Sequence, residues 1–465
     1  MGKRVLLLNP PGDKIYIRDY YCSKVSKASY VYEPPDLLFA SALLHENHEL
    51  KVLDAIASGL AYDEALDKAI SFEPDVVFFI SGSVSYKSDF KFLAKLKEET
   101  NALMIGNGDI FMADYEKRLM ENDFLDAVVL DFTDPSYVDF IEGQKPASNM
   151  AYKVDGEVIV ACLVRDLGGG FSVGLPRHDL FPLQRYKYPF VRSRRFATVL
   201  TDFGCPYRCR FCIMSQIGFK LRPVGEVVEE LKFVRSLGVS EVYFDDQTFG
   251  AKRDRTLKLL DEIIAENLNL GWVCFSRVDV VDEELLMKMR EAGCHTIMFG
   301  VESGNSDILE KYAKGISLDQ VRKTFTLCKK YGIRTVATFL LGLPEDGRES
   351  IEETIDFALS CGVDYASFNI AVPRLGTPLR QEAISAGLVS GEVDEMDQSG
   401  SKAVIRTQSL SPEQVEKYKN QALKRFYFRP SFIFRELLRI RSLHDMISHV
   451  DGLMGVVTNM GNGRQ

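Results

Sequence analysis

The stretch that decides the fold is Ala197-Thr-Val-Leu-Thr-Asp-Phe-Gly-Cys-Pro-Tyr-Arg-Cys-Arg-Phe-Cys-Ile-Met214. It begins with an apolar, strand-like run and continues into Cys205, Cys209 and Cys212, which are spaced C-x₃-C-x₂-C. Three thiolates on one short loop can hold three irons of a 4Fe–4S cluster. Because a closed cluster needs four protein ligands, this loop leaves the fourth iron open to another ligand.

Two other interpretations of the three cysteines are weaker. A structural zinc site normally takes four protein ligands in a tetrahedron. The nearest further candidates, Cys162 and His178, lie more than 25 residues upstream. A disulfide would be strained at these short spacings. The alternative from another functional class is therefore a non-catalytic zinc-binding scaffold.

The bulk properties place the chain among globular proteins. Its 465 residues suggest two or three domains, and 46% hydrophobic residues suffice for sizeable cores. A net charge of −9 gives no nucleic-acid footprint. No signal peptide and no stretch that could span a membrane is visible. Six further cysteines are scattered singly, as small buried residues would be. We expect a cytoplasmic, reducing location, which an oxygen-sensitive cluster requires.

Residues 1–140 alternate between short apolar strands and amphipathic helices. Val5–Leu8 and Val76–Ile80 predict strands, and Asp36–Glu46 predicts a helix. Continuously apolar strands between helices are typical of a parallel sheet covered on both faces. We therefore predict a Rossmann-like, doubly wound α/β domain, whose ligand crevice lies at the carboxyl ends of the strands. The candidate crevice residues are Asn9, Pro10, Ser81, Gly82, Ser83, Gly106, Asn107 and Gly108.

Residues 141–196 predict a connector, with a hairpin around Asp155-Gly156 and a flexible break at Gly168-Gly-Gly170. From 197 to 378 six strands alternate with helices. Six such units suit a partial (β/α)6 barrel of the TIM type, in which active groups lie on loops after the strands. The cysteine loop follows the first strand, as this rule requires. The predicted strands are Ala197–Thr201, Glu241–Phe244, Trp272–Ser276, Thr296–Gly300, Thr335–Leu341 and Tyr365–Ile370.

Residues 379–465 predict a helical C-terminal region. Ser411-Pro-Glu-Gln414 has the residues of a helix start. The segment 424–449 is basic and rich in aromatic residues. We favour a helix that packs against the barrel. The alternative is a basic amphipathic surface for a membrane or a lipid-like substrate.

The cysteine loop closely resembles the motif of radical S-adenosylmethionine (SAM) enzymes, including the aromatic Phe211 before the third cysteine. After it come F-x-D-D-x-x-F, S-R-V-D, G-V-E-S-G, G-L-P-E and P-x-x-G-T-x-L, each following a predicted strand. Together with the N-terminal domain, this order resembles the radical SAM proteins that carry a cobalamin-binding domain. That family includes methyltransferases and relatives that act on lipids, hopanoids, tetrapyrroles and antibiotics. The resemblance covers nearly the whole chain.

The resemblance implies that Cys205, Cys209 and Cys212 hold the cluster and that SAM fills the open iron. SAM then needs an acceptor for its ammonium, a donor for its carboxylate and an acceptor for its ribose hydroxyls. The candidates in that order are Asp245 or Asp246, Arg277, and Glu302, with Phe211 beside the cluster and Gly342 allowing close approach to the adenosine. Arg277 could equally pair with a neighbouring carboxylate.

The resemblance also implies cobalamin in the N-terminal crevice, at Ser81, Gly82, Ser83, Gly106, Asn107 and Gly108. The sequence departs from the family there, because Gly106-Asn-Gly108 replaces a double glycine and no Asp-x-His-x-x-Gly motif follows the first strand. We expect modification of an unactivated carbon, by cobalamin-dependent methyl transfer or by hydrogen abstraction without cobalamin.

The expected partners are a small-molecule or lipid-like substrate and an electron donor such as flavodoxin or ferredoxin. Peripheral contact with a membrane surface is a further expectation. The sequence identifies no catalytic acid or base.

Overall fold

The computed structural model describes residues 2–19, 22–27, 30–165, 167–389, 397 and 399–439. The strands are β1 Arg4–Asn9, β2 Tyr16–Ile17, β3 Lys24–Val25, β4 Glu49–Asp54, β5 Val76–Ile80, β6 Leu103–Asn107, β7 Ala127–Val129, β8 Met150–Val154, β9 Glu157–Val160, β10 Leu167–Gly170, β11 Phe196–Val199, β12 Asp202–Gly204, β13 Phe219–Leu221, β14 Glu241–Phe244, β15 Gly271–Ser276, β16 Cys294–Glu302, β17 Arg334–Leu341 and β18 Tyr365–Ile370. The helices are α1 Pro35–Leu44, α2 Ala55–Ser58, α3 Tyr62–Ile70, α4 Tyr86–Thr100, α5 Tyr115–Glu121, α6 Ser136–Ile141, α7 Val224–Ser236, α8 Arg253–Ala265, α9 Glu283–Glu291, α10 Ser306–Lys311, α11 Leu318–Lys330, α12 Arg348–Ser360, α13 Pro378–Ser385, α14 Pro412–Tyr427 and α15 Pro430–Arg439.

The N-terminal sheet has the order β4-β1-β5-β6-β7-β8-β9. Its first five strands in that order are parallel, and β8 and β9 join antiparallel. Strand β5 shows why the sheet forms here, since all five of its residues, Val-Val-Phe-Phe-Ile, are buried. The strand order reverses between β1 and β5, which is the switch point where ligands of such sheets bind. The predicted Rossmann-like domain is therefore confirmed.

The second large sheet has the order β11-β14-β15-β16-β17-β18, and every pairing in it is parallel. Helices α7, α8, α9, α11 and α12 follow its strands and pack outside them. The predicted partial (β/α)6 barrel is confirmed. All six strands start or end within two residues of their predicted limits.

A small third sheet, β10-β13-β12, lies at the mouth of the barrel. Strands β12 and β13 pair antiparallel, with Asp202 opposite Leu221 and Gly204 opposite Phe219. The cysteine loop, residues 205–218, is thus the connection of a hairpin. Strand β10 includes Gly168-Gly-Gly170, so the predicted flexible break is wrong: backbone pairing with β13 orders these glycines.

The predicted domain limit at residue 140 also needs correction. The hairpin around Asp155-Gly156 forms as predicted, but its strands β8 and β9 extend the N-terminal sheet through β7. A limit at 140 would cut that sheet. The connector begins only after Val160.

The C-terminal helices pack on the barrel. Helix α14 begins with a capping box in which Ser411 and Gln414 bond each other's backbone N–H groups. Phe426 of α14 and Phe432 of α15 join the barrel core, so the favoured packing is confirmed for the part of segment 424–449 up to residue 439. Residues 440–449 lie outside the described residues. No described helix is long and apolar enough to cross a membrane.

Candidate active site

The cysteine loop is fixed at its base by two glycines. Gly204 has φ +82°, and a Cβ there would lie 2.1 Å from the carbonyl oxygen of Gly218. The Cys205 N–H donates to that same oxygen at 3.1 Å. Only glycine allows this left-handed, close approach. The loop therefore leaves β12 in a direction that turns its cysteines toward the barrel.

All three cysteines line one cavity of about 370 Å³ at the carboxyl ends of the barrel strands. Cys209 is buried, while Cys205 and Cys212 are partly buried. The cavity is also lined by residues from the ends of β14, β15, β16 and β18, among them Thr248, Arg277 and Glu302. The arrangement agrees with the rule that active groups of such barrels follow the strands.

Two cysteine sulfurs have polar neighbours from other strands. Thr248 Oγ1 lies 3.6 Å from Cys205 Sγ, and Arg277 Nη1 lies 3.6 Å from Cys209 Sγ. The Arg277 guanidinium stacks 3.8 Å above the Tyr207 ring and forms two 2.9 Å bonds with Asp279. Arg277 thus has the predicted ion pair, and that pair also holds its charge beside a cysteine.

Burial disfavours the thiolate form of two of the cysteines. It raises the pKa of Cys205 and raises that of Cys212 to about 12. Iron must therefore displace protons, as thiolate ligation requires. Among the described residues, no group of three or more His, Cys, Asp or Glu side chains forms a site for a single metal ion. The cysteines fit a cluster, in which each thiolate binds a different iron. The zinc interpretation gains no support from these residues.

Glu302 lies where β16 ends in an irregular backbone. The pairing register with β17 shifts between Gly300 and Glu302, and Glu302 has φ +71°. A non-glycine residue in this region is strained, and such strain clusters at functional sites. Lys314 Nζ donates to Glu302 Oε1 at 2.9 Å. The strained backbone and the lysine aim one carboxylate at the cavity, which Glu302 lines.

The other predicted SAM residues divide into two groups. Phe211 and Asp245 line the cavity. Asp246 instead accepts hydrogen bonds from the backbone N–H and the hydroxyl of Thr201, both at 2.6 Å, behind the cavity wall. Gly342 faces helix α14, since a Cβ there would lie 2.6 Å from Val415. The structure thus does not bring Asp246 and Gly342 to the cavity.

One whole wall of the cavity was not predicted from the sequence. It comes from the segment between β1 and α1, which we call the β1–α1 segment (described residues 10–19, 22–27 and 30–34). Asp19, Cys22, Lys24 and Lys27 all line the cavity. Their only local signal is a run of charged and aromatic residues after Asn9-Pro-Pro-Gly12. Arg374, after β18, was also missed.

The same segment closes the carboxyl edge of the N-terminal sheet. Arg18 is fully buried and forms two bonds with Asp89, at 2.6 and 2.9 Å, and one with Asn9 at 2.7 Å. Ser81 also donates to Asp89. These contacts fill the switch point between β1 and β5.

The remaining predicted crevice residues are bonded or packed in the same way. Asp109 accepts hydrogen bonds from both Ser83 and Ser23 of the β1–α1 segment, and its pKa is raised to about 6 by burial. A Cβ on Gly82 would lie 2.2 Å from Ser23, and one on Gly108 would lie 2.0 Å from Ser81 O. Gly106 packs against Phe111, and Asn107 donates to Asp36. None of these residues lines the cavity. The predicted cobalamin residues form a packed edge in this structure.

A buried polar network joins the two sheets. His178 of the connector bonds Glu33 at 2.9 Å and Glu230 of α7 at 2.8 Å. Arg222 donates to the other oxygen of Glu230 at 2.6 Å. Burial lowers the pKa of His178, but the two carboxylates outweigh burial and raise it to about 10. The charged imidazole therefore fixes the N-terminal sheet over the barrel.

Comparison with known proteins agrees with this geometry. Residues 200–358 match the family model of the radical SAM superfamily. Residues 200–358 therefore form a radical SAM domain. The matched region begins just before the cysteine loop and ends on α12, so it covers most of the barrel. The sequence is also similar to an uncharacterized methyltransferase of Pyrococcus horikoshii, with 29% identity over 93% of this chain and 94% of the relative.

Two solved structures share the architecture of this chain. The radical SAM methyltransferase TsrM from Kitasatospora setae, with cobalamin and a 4Fe–4S cluster bound, has a TM-score of 0.66 at 18% identity and covers 90% of this chain and 85% of its own. The cobalamin-dependent radical enzyme OxsB, with aqua-cobalamin and SAM bound, has a TM-score of 0.69 at 13% identity. It covers 99% of this chain and 72% of its own. At these identities the likeness shows the fold.

Proposed function

We propose that this enzyme holds a 4Fe–4S cluster on Cys205, Cys209 and Cys212 and cleaves SAM beside it, in order to modify an unactivated carbon of a small organic substrate. The observation that carries the proposal is the convergence of the three thiols on one cavity with Arg277 and Glu302. The cluster and SAM supply the radical chemistry when bound, and the protein supplies orientation and exclusion of water.

Each lining residue has a role in this proposal. Arg277 offers N–H groups to the SAM carboxylate from beside Cys209, because Asp279 fixes its side chain. Glu302 accepts hydrogen bonds from the ribose hydroxyls, and Lys314 fixes its carboxylate. Phe211 packs its ring against Tyr312 near the third cysteine and keeps water from the cluster. Asp246 supports the cysteine loop through Thr201.

Two outcomes for the substrate carbon are distinguishable. Methyl transfer is supported by the relative from Pyrococcus horikoshii and by the cobalamin in the structural neighbours. Hydrogen abstraction without cobalamin is supported by the closed edge of the N-terminal sheet, where Arg18, Asp89 and Asp109 fill the crevice.

The test is anaerobic reconstitution with iron and sulfide, with and without hydroxocobalamin, followed by a SAM-cleavage assay. Formation of 5′-deoxyadenosine that requires the cluster supports the proposal. Corrinoid absorbance that stays with the protein, together with S-adenosylhomocysteine, would assign methyl transfer. A chain that binds zinc and neither iron nor sulfide would refute the enzyme and leave the scaffold.

Two expected partners belong to the same proposal. The cluster needs one electron for each turnover, and we propose a reduced flavodoxin or ferredoxin as its source. Contact with a membrane surface is supported by Ile433, Phe434 and Leu437 of α15, whose side chains are exposed. Flotation of the protein with anionic vesicles tests this contact, and a Phe434→Ser protein that floats as well as the unchanged protein would contradict it.

A further inference from the structure

The cavity has two chemically different halves. The half next to the cysteines is lined by Thr248, Arg277 and Glu302, which the proposed function assigns to the cluster and SAM. The other half, which we call the distal half, is lined by Asp19, Lys24, Lys27, Tyr32 and Asp245. It joins the end of β14 to the β1–α1 segment. The distal half is therefore where a substrate would meet the N-terminal domain.

Asp245 lines this half and has a buried oxygen without a hydrogen-bond donor among the described residues. The residue is 3% exposed, and Tyr243 donates its hydroxyl to Oδ1. Oδ2 has no hydrogen-bond partner among the described residues. A buried carboxylate oxygen left without a donor costs free energy, and a ligand that supplies a donor removes that cost. Burial, and then the charge of Asp19, raise the pKa of Asp245 well above its ordinary value, and a cationic N–H donor is the group that would best stabilise its carboxylate form.

Lys24 supplies the opposite charge in the same half. It forms no hydrogen bond or ion pair with another described residue, although the charges of Asp19 and Asp245 act on it. The three N–H groups of Lys24, which lines the cavity, therefore have no acceptor among the described residues. Next to it, Lys27 donates to Asn369 Oδ1 at 2.6 Å, and burial lowers the pKa of Lys27 to about 7. An anionic group on the ligand would accept hydrogen bonds from Lys24, and an ammonium group would donate one to Asp245.

We propose that the distal half binds a small zwitterionic substrate, with its amine on Asp245 and its acid group on Lys24. The proposal rests on the proposed function, because it assigns this half to the substrate of the radical reaction. It also assigns Asp245 to the substrate rather than to the SAM ammonium. Tyr32 and Phe275 also line the cavity and suit an apolar side chain beside the two charged groups of the ligand.

The test uses three matched probes on the full chain with its reconstituted cluster. L-Norleucine carries both charges, while pentylamine lacks the acid group and hexanoate lacks the amine. Calorimetric titration near neutral pH should show that norleucine binds at least about tenfold more tightly than either other probe, which is the worth of one charge-assisted hydrogen bond. Equal binding of the three probes, or no binding of norleucine, would overturn the proposal.

Two single variants test which residue binds the amine of the probe and which residue binds its acid group. Asp245→Asn should weaken norleucine and pentylamine by about tenfold and leave hexanoate unchanged, whereas Lys24→Met should weaken norleucine and hexanoate and leave pentylamine unchanged. Asp63→Asn and Lys145→Met, at exposed positions outside the cavity, are the matched controls. Weakening of SAM binding by Asp245→Asn to the same degree would place Asp245 in the SAM site and overturn the assignment. Because probe binding needs no SAM cleavage, a protein that binds norleucine but cleaves no SAM would refute the proposed function alone.

Discussion

The carboxyl edges of the two parallel sheets differ in one respect that decides their roles. At the edge of the N-terminal sheet, Arg18 bonds Asp89, Ser81 donates to Asp89, and Ser23 and Ser83 donate to Asp109, so that these charged groups have partners. At the edge of the barrel, Asp245 and Lys24 face a cavity and are left for a ligand to complete. The β1–α1 segment serves both edges, because Arg18 and Ser23 turn to the sheet while Asp19 and Lys24 turn to the cavity.

The topology of a parallel sheet determines where a crevice forms, and the side chains at that crevice determine whether it can bind a ligand. Both edges are formed by the carboxyl ends of parallel strands, which is where ligands bind in such folds. Among the described residues, the barrel edge lines a cavity with the three cysteines, whereas the named charged groups of the N-terminal edge are hydrogen-bonded to neighbouring residues. The N-terminal edge is packed. The β1–α1 segment that covers it also forms one wall of the cavity in the barrel.

The sharpest test of the barrel edge is Cys209→Ala. The variant should lose the cluster and all SAM cleavage, because two thiolates cannot replace three ligands. Far-ultraviolet circular dichroism should be unchanged, since the cysteine loop follows the sheet and does not build it. The control is Cys162→Ala, an exposed residue outside the cavity, which should keep full iron content. Retained formation of 5′-deoxyadenosine by Cys209→Ala would contradict the site.

The next test concerns the paired N-terminal edge. Arg18→Met leaves Asp89 buried without its cation and should lower the free energy of unfolding by about 3–5 kcal/mol in urea denaturation. The double variant Arg18→Met with Asp89→Leu should recover most of that loss, because no charge is then left unpaired. Iron content should stay normal in both. A single variant as stable as the unchanged protein would show that this edge is not closed by the ion pair.

A smaller effect is expected at the strained residue of the barrel edge. Glu302→Gln keeps the shape of the side chain and removes its charge, so SAM should bind about tenfold more weakly by equilibrium dialysis. Glu310→Gln, on the exposed face of α10, is the control and should not change SAM binding. If both variants bind SAM equally well, Glu302 has no part in the SAM site.

The smallest expected effect is on the pH dependence of stability, and it comes from His178 in the buried polar network that joins the two sheets. The pKa of His178 is raised in the folded state from 6.5 to about 10. A raised pKa contributes stability that is fully present below pH 6.5 and is lost as pH rises toward 10. The unchanged protein should therefore lose more stability over this range than His178→Gln does. Parallel curves of unfolding free energy against pH for the two proteins would contradict the charged imidazole.

The sequence was sufficient for the architecture because its signals are local. Apolar strands such as Val76–Ile80, the capping residues Ser411 and Gln414, and the spacing of the three cysteines each act within a few residues. The domain limit at 140 failed because the pairing of β8 with β7 is a contact across the sheet.

The site was only partly predictable, because its remaining contacts are between residues distant in sequence. The register shift at Glu302 and the interaction of Lys24 with Asp245 depend on strands that meet only in the fold. Asp245 and Asp246 are neighbours in a motif, yet one turns to the cavity and the other to Thr201. Strand geometry separates them, since adjacent side chains point to opposite faces.

The central claim is that the barrel edge holds a cluster with one open iron. Electron paramagnetic resonance of the anaerobically reconstituted, reduced protein, with parallel iron and sulfide analysis, tests it most directly. The account predicts about four irons and four sulfides per chain and a 4Fe–4S signal that changes when SAM is added. A signal that SAM leaves unchanged, or a protein with about one zinc and no sulfide, would contradict it.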